Sequence, residues 1–301
     1  MAALARALSV PEPLLHELSA TADSRYRLAS AVEKSDGSIQ QTFDALPPLK
    51  DVHRRIKTQI FSQVEFPEYL TGSVKGQDYK TNAALHVGSR IVICEDISNF
   101  FPTTTLAVVF DIWHHFFGFS DDVAECLSKL TTKDGLLPQG AIPSSYLANL
   151  AFWRDEPRVQ AHFSRKGLIY SRFVDDIAVS SKRFVTAEEK TSIIATIYGM
   201  LGGLGYKAKR RKHELRTNKD RMIVTKLLVN AKPSLVKEDR SAIRTAVYQL
   251  EEQVRNGSRS FALSKEYSKV FGRVSSLGRF HGSEAEQLKQ RMRILKPFIV
   301  G

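Results

Sequence analysis

Residues 167–182 read GLIYSRFVDDIAVSSK, which sets two adjacent carboxylates, Asp175 and Asp176, between two β-rich arms. Arms at 168–174 and 177–181 predict a hairpin with the acidic pair at its tip. Hairpin tips favour Asn-Gly or Asp-Gly, and neighbouring carboxylates repel one another. A hard divalent cation relieves that repulsion, since Mg²⁺ takes one or two carboxylates and fills its shell with water and substrate phosphates. A second acid belongs with the pair. Residues 90–97 (RIVICEDI) predict a β-branched strand that carries Glu95 and Asp96 at its end. Asp121-Asp122 is another acidic pair, but Ser120 before it reads as a helix start.

The rest of the chain is globular and basic. Of 301 residues, 43% are hydrophobic and 25% charged, which excludes general disorder and allows one or two compact domains. Forty-four Lys and Arg stand against 32 Asp and Glu, a net charge of +12. Half of that excess lies in residues 207–221 (KAKRRKHELRTNKDR). Such a run binds phosphate backbones through counterion release, or else forms a solubilising face. No apolar run approaches the ~18 residues of a membrane span. Residues 3–20, with Arg6, Glu12 and Glu17, suit an amphipathic helix rather than a secretory signal. Cys94 and Cys126 are too few for a disulfide framework, so the expectation is a reduced, cytoplasmic protein without a membrane partner.

Helices are expected at 3–20 and at 46–64, the second opened by Pro47 and Pro48. Between them SDGS (35–38) reads as a turn joining short strands. Further helices are expected at 104–117, 120–131, 144–154 and 186–203, and strands at 221–229. From about 237 the chain reads as basic helix, interrupted near Asn256-Gly257 and Gly278. The pattern is α+β with an all-helical C-terminal region.

Three segments carry a family resemblance. FVDD (173–176) resembles the Tyr/Phe-x-Asp-Asp motif of reverse transcriptases, EDISNFFPTT (95–104) their Asp-Ile-x-x-Phe-Phe motif, and LLPQGAIPSSYLANL (136–150) their Leu-Pro-Gln-Gly motif. They occur in the family's order, and the resemblance runs from about residue 20 to 235. It implies a right-hand polymerase fold with fingers, an antiparallel-sheet palm and a helical thumb. The implied divisions are 1–90 for N-terminal helices and fingers, 91–233 for palm with a fingers insertion at about 103–137, and 234–301 for thumb. It also implies an RNA-directed DNA polymerase using two Mg²⁺ ions, or Mn²⁺ in their place, ~3.5–4 Å apart. Asp96, Asp175, Asp176 and the Ile97 carbonyl would be their ligands. Phe101 matches the ring that excludes a ribonucleotide 2′-hydroxyl, with Phe100 competing for the role. Gln139 and Gly140 would lie against nucleotide and template, and Lys212 would protonate or bind pyrophosphate. Asn149 also matches a family position, in a structural role.

Two shorter segments resemble retron reverse transcriptases: NAALH (82–86) matches Asn-Ala-x-x-His, and IVTKLLVN (223–230) resembles a Val-Thr-Gly segment with Lys226 in place of glycine. That resemblance implies dNTPs, a cognate structured non-coding RNA, priming from an internal RNA 2′-hydroxyl, and a branched RNA–DNA product. It further implies antiphage defence with a separately encoded effector protein. RNA contacts are expected at Asn82, His86, Lys209, Arg210, Arg211, Arg273, Arg279, Arg291 and Arg293. The alternative for the first two is a helix cap and a helix-face histidine. One departure stands out: Gln40 and Gln41 occupy the fingers strand where the family has an arginine, with Lys34 or Arg27 as substitutes. It leaves open a non-retron or template-independent defence polymerase, and a catalytically silent RNA-binding scaffold.

Overall fold

The computed structural model of the chain describes residues 1–33, 37, 39–257 and 261–299; Lys34 and most of the expected SDGS turn lie outside them. The single helix expected at 3–20 is two, α1 (Ala2–Leu8) and α2 (Glu12–Thr21). Ser9 ends the first in a left-handed conformation (φ 52°), and Pro11 precedes the second. Strands β1 (Tyr26–Glu33) and β2 (Ile39–Ala45) form an antiparallel hairpin rooted in the core at Tyr26 and Ala45. Helix α3 (Leu49–Gln59) starts directly after Pro48.

Next come α4 (Tyr79–Leu85), β3 (Ile91–Asp96), α5 (Phe100–Thr103), α6 (Leu106–Asp111), α7 (Asp121–Thr131), α8 (Ser144–Leu150) and α9 (Glu156–Arg165). The expected hairpin follows as β4 (Ile169–Phe173) and β5 (Asp176–Ser181), then α10 (Ala187–Gly203) and β6 (Glu214–Thr217). These four strands make one antiparallel sheet in the order β4-β5-β3-β6. Its central strands are buried on both faces. Ile91, Ile93, Ile177 and Val179 point into the main core, while Val92 and Ala178 meet Ala83, Met222, Val224 and Leu227 behind the sheet. This two-sided burial explains the near-continuous apolar runs in both segments.

Two features of this sheet were not expected. β6 lies inside the basic run, an edge strand whose charges the sheet's rim accepts. The opposite edge is covered by residues 69–72, which run parallel to β4 at the Leu70–Arg172 bridge. Short strands β7 (Ile223–Val224), β8 (Leu227–Leu228) and β9 (Ser234–Leu235) form a separate three-stranded sheet. Helices α11 (Lys237–Arg255), α12 (Phe261–Gly278) and α13 (Gly282–Ile299) pack around their own core of Ile243, Val247, Leu250, Val274, Leu288 and Met292. The mixed α and β content and the helical C-terminal region match expectation. Among the described residues no helix is long and apolar enough to cross a membrane.

Candidate active site

The β3–β5 ladder brings the acids together. Asp96 pairs with Asp176 in register, and the Ile97 N–H donates to the Asp175 carbonyl at 2.9 Å. All three aspartates and Ile97 line one cleft of about 910 Å³. Side-chain alternation along β3 sends Glu95 to the other face, where it accepts from Tyr198 at 3.3 Å and meets His213 Nδ1 at 2.6 Å. Asp96 therefore faces the cleft alone from this strand.

The basic run enters the same cleft because it continues the ladder past Asp96. Ser98 N–H donates to the Lys207 carbonyl at 2.8 Å, and Lys209 N–H to the Asp96 carbonyl at 2.7 Å. Lys209, Arg211 and Lys212 line the cleft, and the Lys212 ammonium bonds the Asp96 carboxylate. Partial desolvation opposes the Lys212 charge, yet that bond and the Asp176 and Asp175 carboxylates hold its pKa above the ordinary lysine value. The Asp176 carboxyl is pushed up to about 6, first by reduced hydration between the cleft walls, then by Asp175 and Asp96.

Asp176, held from ionising beside the Asp175 and Asp96 carboxylates, fits a divalent cation, whose charge would remove the conflict. Among the described residues no three His, Cys, Asp or Glu side chains converge into a ready-made metal cage.

The remaining cleft residues separate by depth. Phe100 and Phe101 both border the cleft, but Phe100 is buried in a stack with Phe152 (ring centroids 5.9 Å) and against Tyr206, whereas Phe101 is half-buried. Gln139 also lines it, and its carbonyl accepts from Phe43 N–H of β2 at 2.7 Å. Gly140 (φ 102°) faces β2 rather than the cleft: a Cβ there would lie 2.9 Å from the Phe43 carbonyl oxygen. Gln40 and Gln41 do line the cleft, while Arg27 turns to Asp44 at 2.9 Å. Lys133 lines the cleft too, over the Phe43 ring and bonded to Asp134.

Asn82 and His86 correct the expectation of RNA contact, because both side chains are interior. Asn82 is 1% exposed and accepts from Thr71 Oγ1 at 2.8 Å. His86 is fully buried and bridges Ser171 of β4 and Ser180 of β5, each at 2.7 Å. Asp78, not Asn82, caps α4. Three of the expected RNA-binding arginines are paired within the protein: Arg279 with Asp78, Arg291 with Glu251 at 2.6 Å, and Arg293 with Glu286 at 3.1 Å. Arg273 is half-buried on α12, and Arg210 is exposed in a short 3₁₀ turn.

Sequence reasoning missed the groups that hold the acidic turn. Arg172, buried within β4, is clamped by Glu156 through bonds of 2.6 and 2.8 Å and lies over the Phe100 and Phe152 rings. A lone arginine in an apolar strand was the available signal, since a buried charge demands a partner. Asn149 is buried, in keeping with its expected structural role, and its side chain donates to the Gly72 carbonyl at 2.8 Å.

No protein-family model matches the chain. It is 34% identical over 262 residues to the Retron Se72 reverse transcriptase of Salmonella heidelberg (strain 579083-10), covering 86% of this chain and 69% of that protein. This chain belongs to the retron reverse transcriptases. It is also 31% identical to the Retron Ec48 reverse transcriptase of Escherichia coli, across 98% of this chain and 75% of that protein. The Retron Ec86 reverse transcriptase of Escherichia coli is 29% identical over 180 residues, 60% of this chain and 56% of its own length.

Proposed function

We propose that this retron-family chain is an RNA-directed DNA polymerase that copies part of a cognate structured non-coding RNA into branched, multicopy single-stranded DNA. The observation that carries the reading is the meeting of Asp96, Asp175 and Asp176 in one cleft beside a basic wall. In this reading residues 1–90, with the 103–137 insertion, are N-terminal helices and fingers, 91–233 the palm and 234–301 the thumb.

Asp96, Asp175 and Asp176, with the Ile97 carbonyl, would hold two Mg²⁺ ions, or Mn²⁺. When bound, such ions activate an attacking hydroxyl and stabilise leaving pyrophosphate. Lys212, already in the cleft on Asp96, is the group that would meet pyrophosphate oxygens. Phe101 lies beneath the incoming sugar and excludes a 2′-hydroxyl, and Gln139 backs the nucleotide. Lys209, Arg210, Arg211 and Arg273 bind RNA phosphates without reading sequence. Synthesis starts from a 2′-hydroxyl of the RNA, and the product serves antiphage defence with a separately encoded effector protein.

The test is to purify the protein from cells carrying its native locus and to sequence the nucleic acid that accompanies it, with and without RNase. Short DNA joined covalently to RNA is the expected result. DNA matching no RNA would replace this reading with untemplated synthesis, and RNA alone would replace it with a silent scaffold.

A further inference from the structure

The acidic turn adopts a conformation its own residues disfavour. Phe173 and Asp176 close a two-residue hairpin loop, and Val174 at its first position has φ 57°. Two-residue hairpins call for positive φ there, but glycine or asparagine supplies it without strain. A β-branched residue in this region is an outlier. Such a conformation persists only where its surroundings over-determine it.

The surroundings are residues 69–72. Arg172 N–H donates to the Tyr69 carbonyl at 2.8 Å, and Thr71 N–H donates to the Arg172 carbonyl at 3.1 Å. Thr71 Oγ1 donates to Asn82, and Asn149 holds the Gly72 carbonyl. Gly72 then lies so close to the turn that an added Cβ would sit 2.5 Å from Val174 N, 2.6 Å from Val174 Cγ2 and 2.9 Å from the Phe173 carbonyl carbon. From the other side the Arg172 guanidinium donates to the Val174 carbonyl at 3.0 Å. The NAALH helix, the Asn149 segment and β4 thus converge on one four-residue strap.

We propose that this strap positions the acidic turn, with Gly72 as the positioning residue that seats Val174 and so aims Asp175 and Asp176. The proposal rests on the polymerase reading for its effect on rate, but its effect on the turn is measurable without it. Gly72 is not in the left-handed region, so alanine strains no backbone of its own; only the contact with the turn is lost. Gly199→Ala is the control, an exposed helical glycine with open space around it.

The experiment compares wild type, Gly72→Ala and Gly199→Ala by hydrogen exchange of peptides spanning 169–181 and 237–255, and by steady-state dNTP incorporation on a primed RNA template. Gly72→Ala is expected to exchange faster at 169–181 only, and to lower kcat about 100-fold with KM for dNTP nearly unchanged, as for a displacement of about 1 Å. Gly199→Ala is expected to match wild type. If Gly72→Ala fails to fold, Asn149→Ala, which releases the Gly72 carbonyl, is expected to show the same pattern more weakly. Faster exchange with unchanged kcat would make the strap merely structural and overturn the proposal, as would no change in either. If wild type makes no DNA, the polymerase reading fails instead, and exchange at 169–181 still decides whether Gly72 seats the turn.

Discussion

The β4–β5 turn and the C-terminal helical bundle hold themselves together in opposite ways. The turn is short and strained, and it depends on buried polar bonds from distant parts of the chain: Glu156 through Arg172, Asn149 through Gly72, and His86 through Ser171 and Ser180. The bundle is stabilised by its own apolar core, and its ion pairs are partly exposed. Its links to the rest include Arg279 to Asp78, Lys80 to the Arg279 carbonyl at 3.0 Å, and the Tyr79–Phe280 ring contact at 5.8 Å. Buried polar networks fix one geometry and fail steeply when a partner is removed, whereas an apolar core tolerates change in proportion to lost volume. Fixed geometry is concentrated where the carboxylates are, and tolerance of change where the helices pack on one another.

The sharpest way to break this contrast is Arg172→Met. It leaves the Glu156 charge, 1% exposed, with no counter-ion and only the Tyr170 hydroxyl at 2.7 Å, and removal of one member of a buried pair costs about 3–5 kcal/mol. Urea unfolding should show that loss, and dNTP incorporation should fall with it. Leu250→Ala is the bundle counterpart: the side chain is fully buried, and such truncations cost about 2–5 kcal/mol. Hydrogen exchange should rise across 237–299 while peptide 169–181 keeps its protection.

A smaller effect comes from pH. Burial holds His53 and His86 neutral, each with its pKa lowered from 6.5 to about 4. Between those values the unfolded chain binds protons that the folded chain does not, so stability is full above pH 6.5 and declines as pH falls towards 4. Thermal melts should follow that course, and His86→Asn should flatten it by one titrating group.

Much of the turn's region was legible because its pattern is local. Adjacent acids between β-rich arms, a strand ending in Asp96, and a C-terminal helical stretch broken at Gly257 and Gly278 each show within a few residues. What escaped was set by partners far along the chain. Gly72 has no pattern of its own; its meaning lies in the approach of Val174. Asn82 and His86 read as exposed polar groups, but one face of α4 packs against a sheet whose serines are buried. β6 escaped because it is only four residues long and lies inside the basic run. Arg279 resembles any cation in a basic helical tail until Asp78 is seen opposite it. Lys226, which stands where the resembled motif has glycine, takes φ 67°, the conformation for which glycine is suited.

The central claim is that Asp96, Asp175 and Asp176 together carry DNA synthesis on RNA. Its most direct test is Mg²⁺-dependent dNTP incorporation by wild type and by the Asp175→Ala/Asp176→Ala protein on a defined RNA template, with the melting curve of each recorded. The double variant is predicted to fold and to lose on the order of 10³-fold or more in rate, about 4 kcal/mol of barrier. Synthesis by that variant at a rate near wild type would contradict the account.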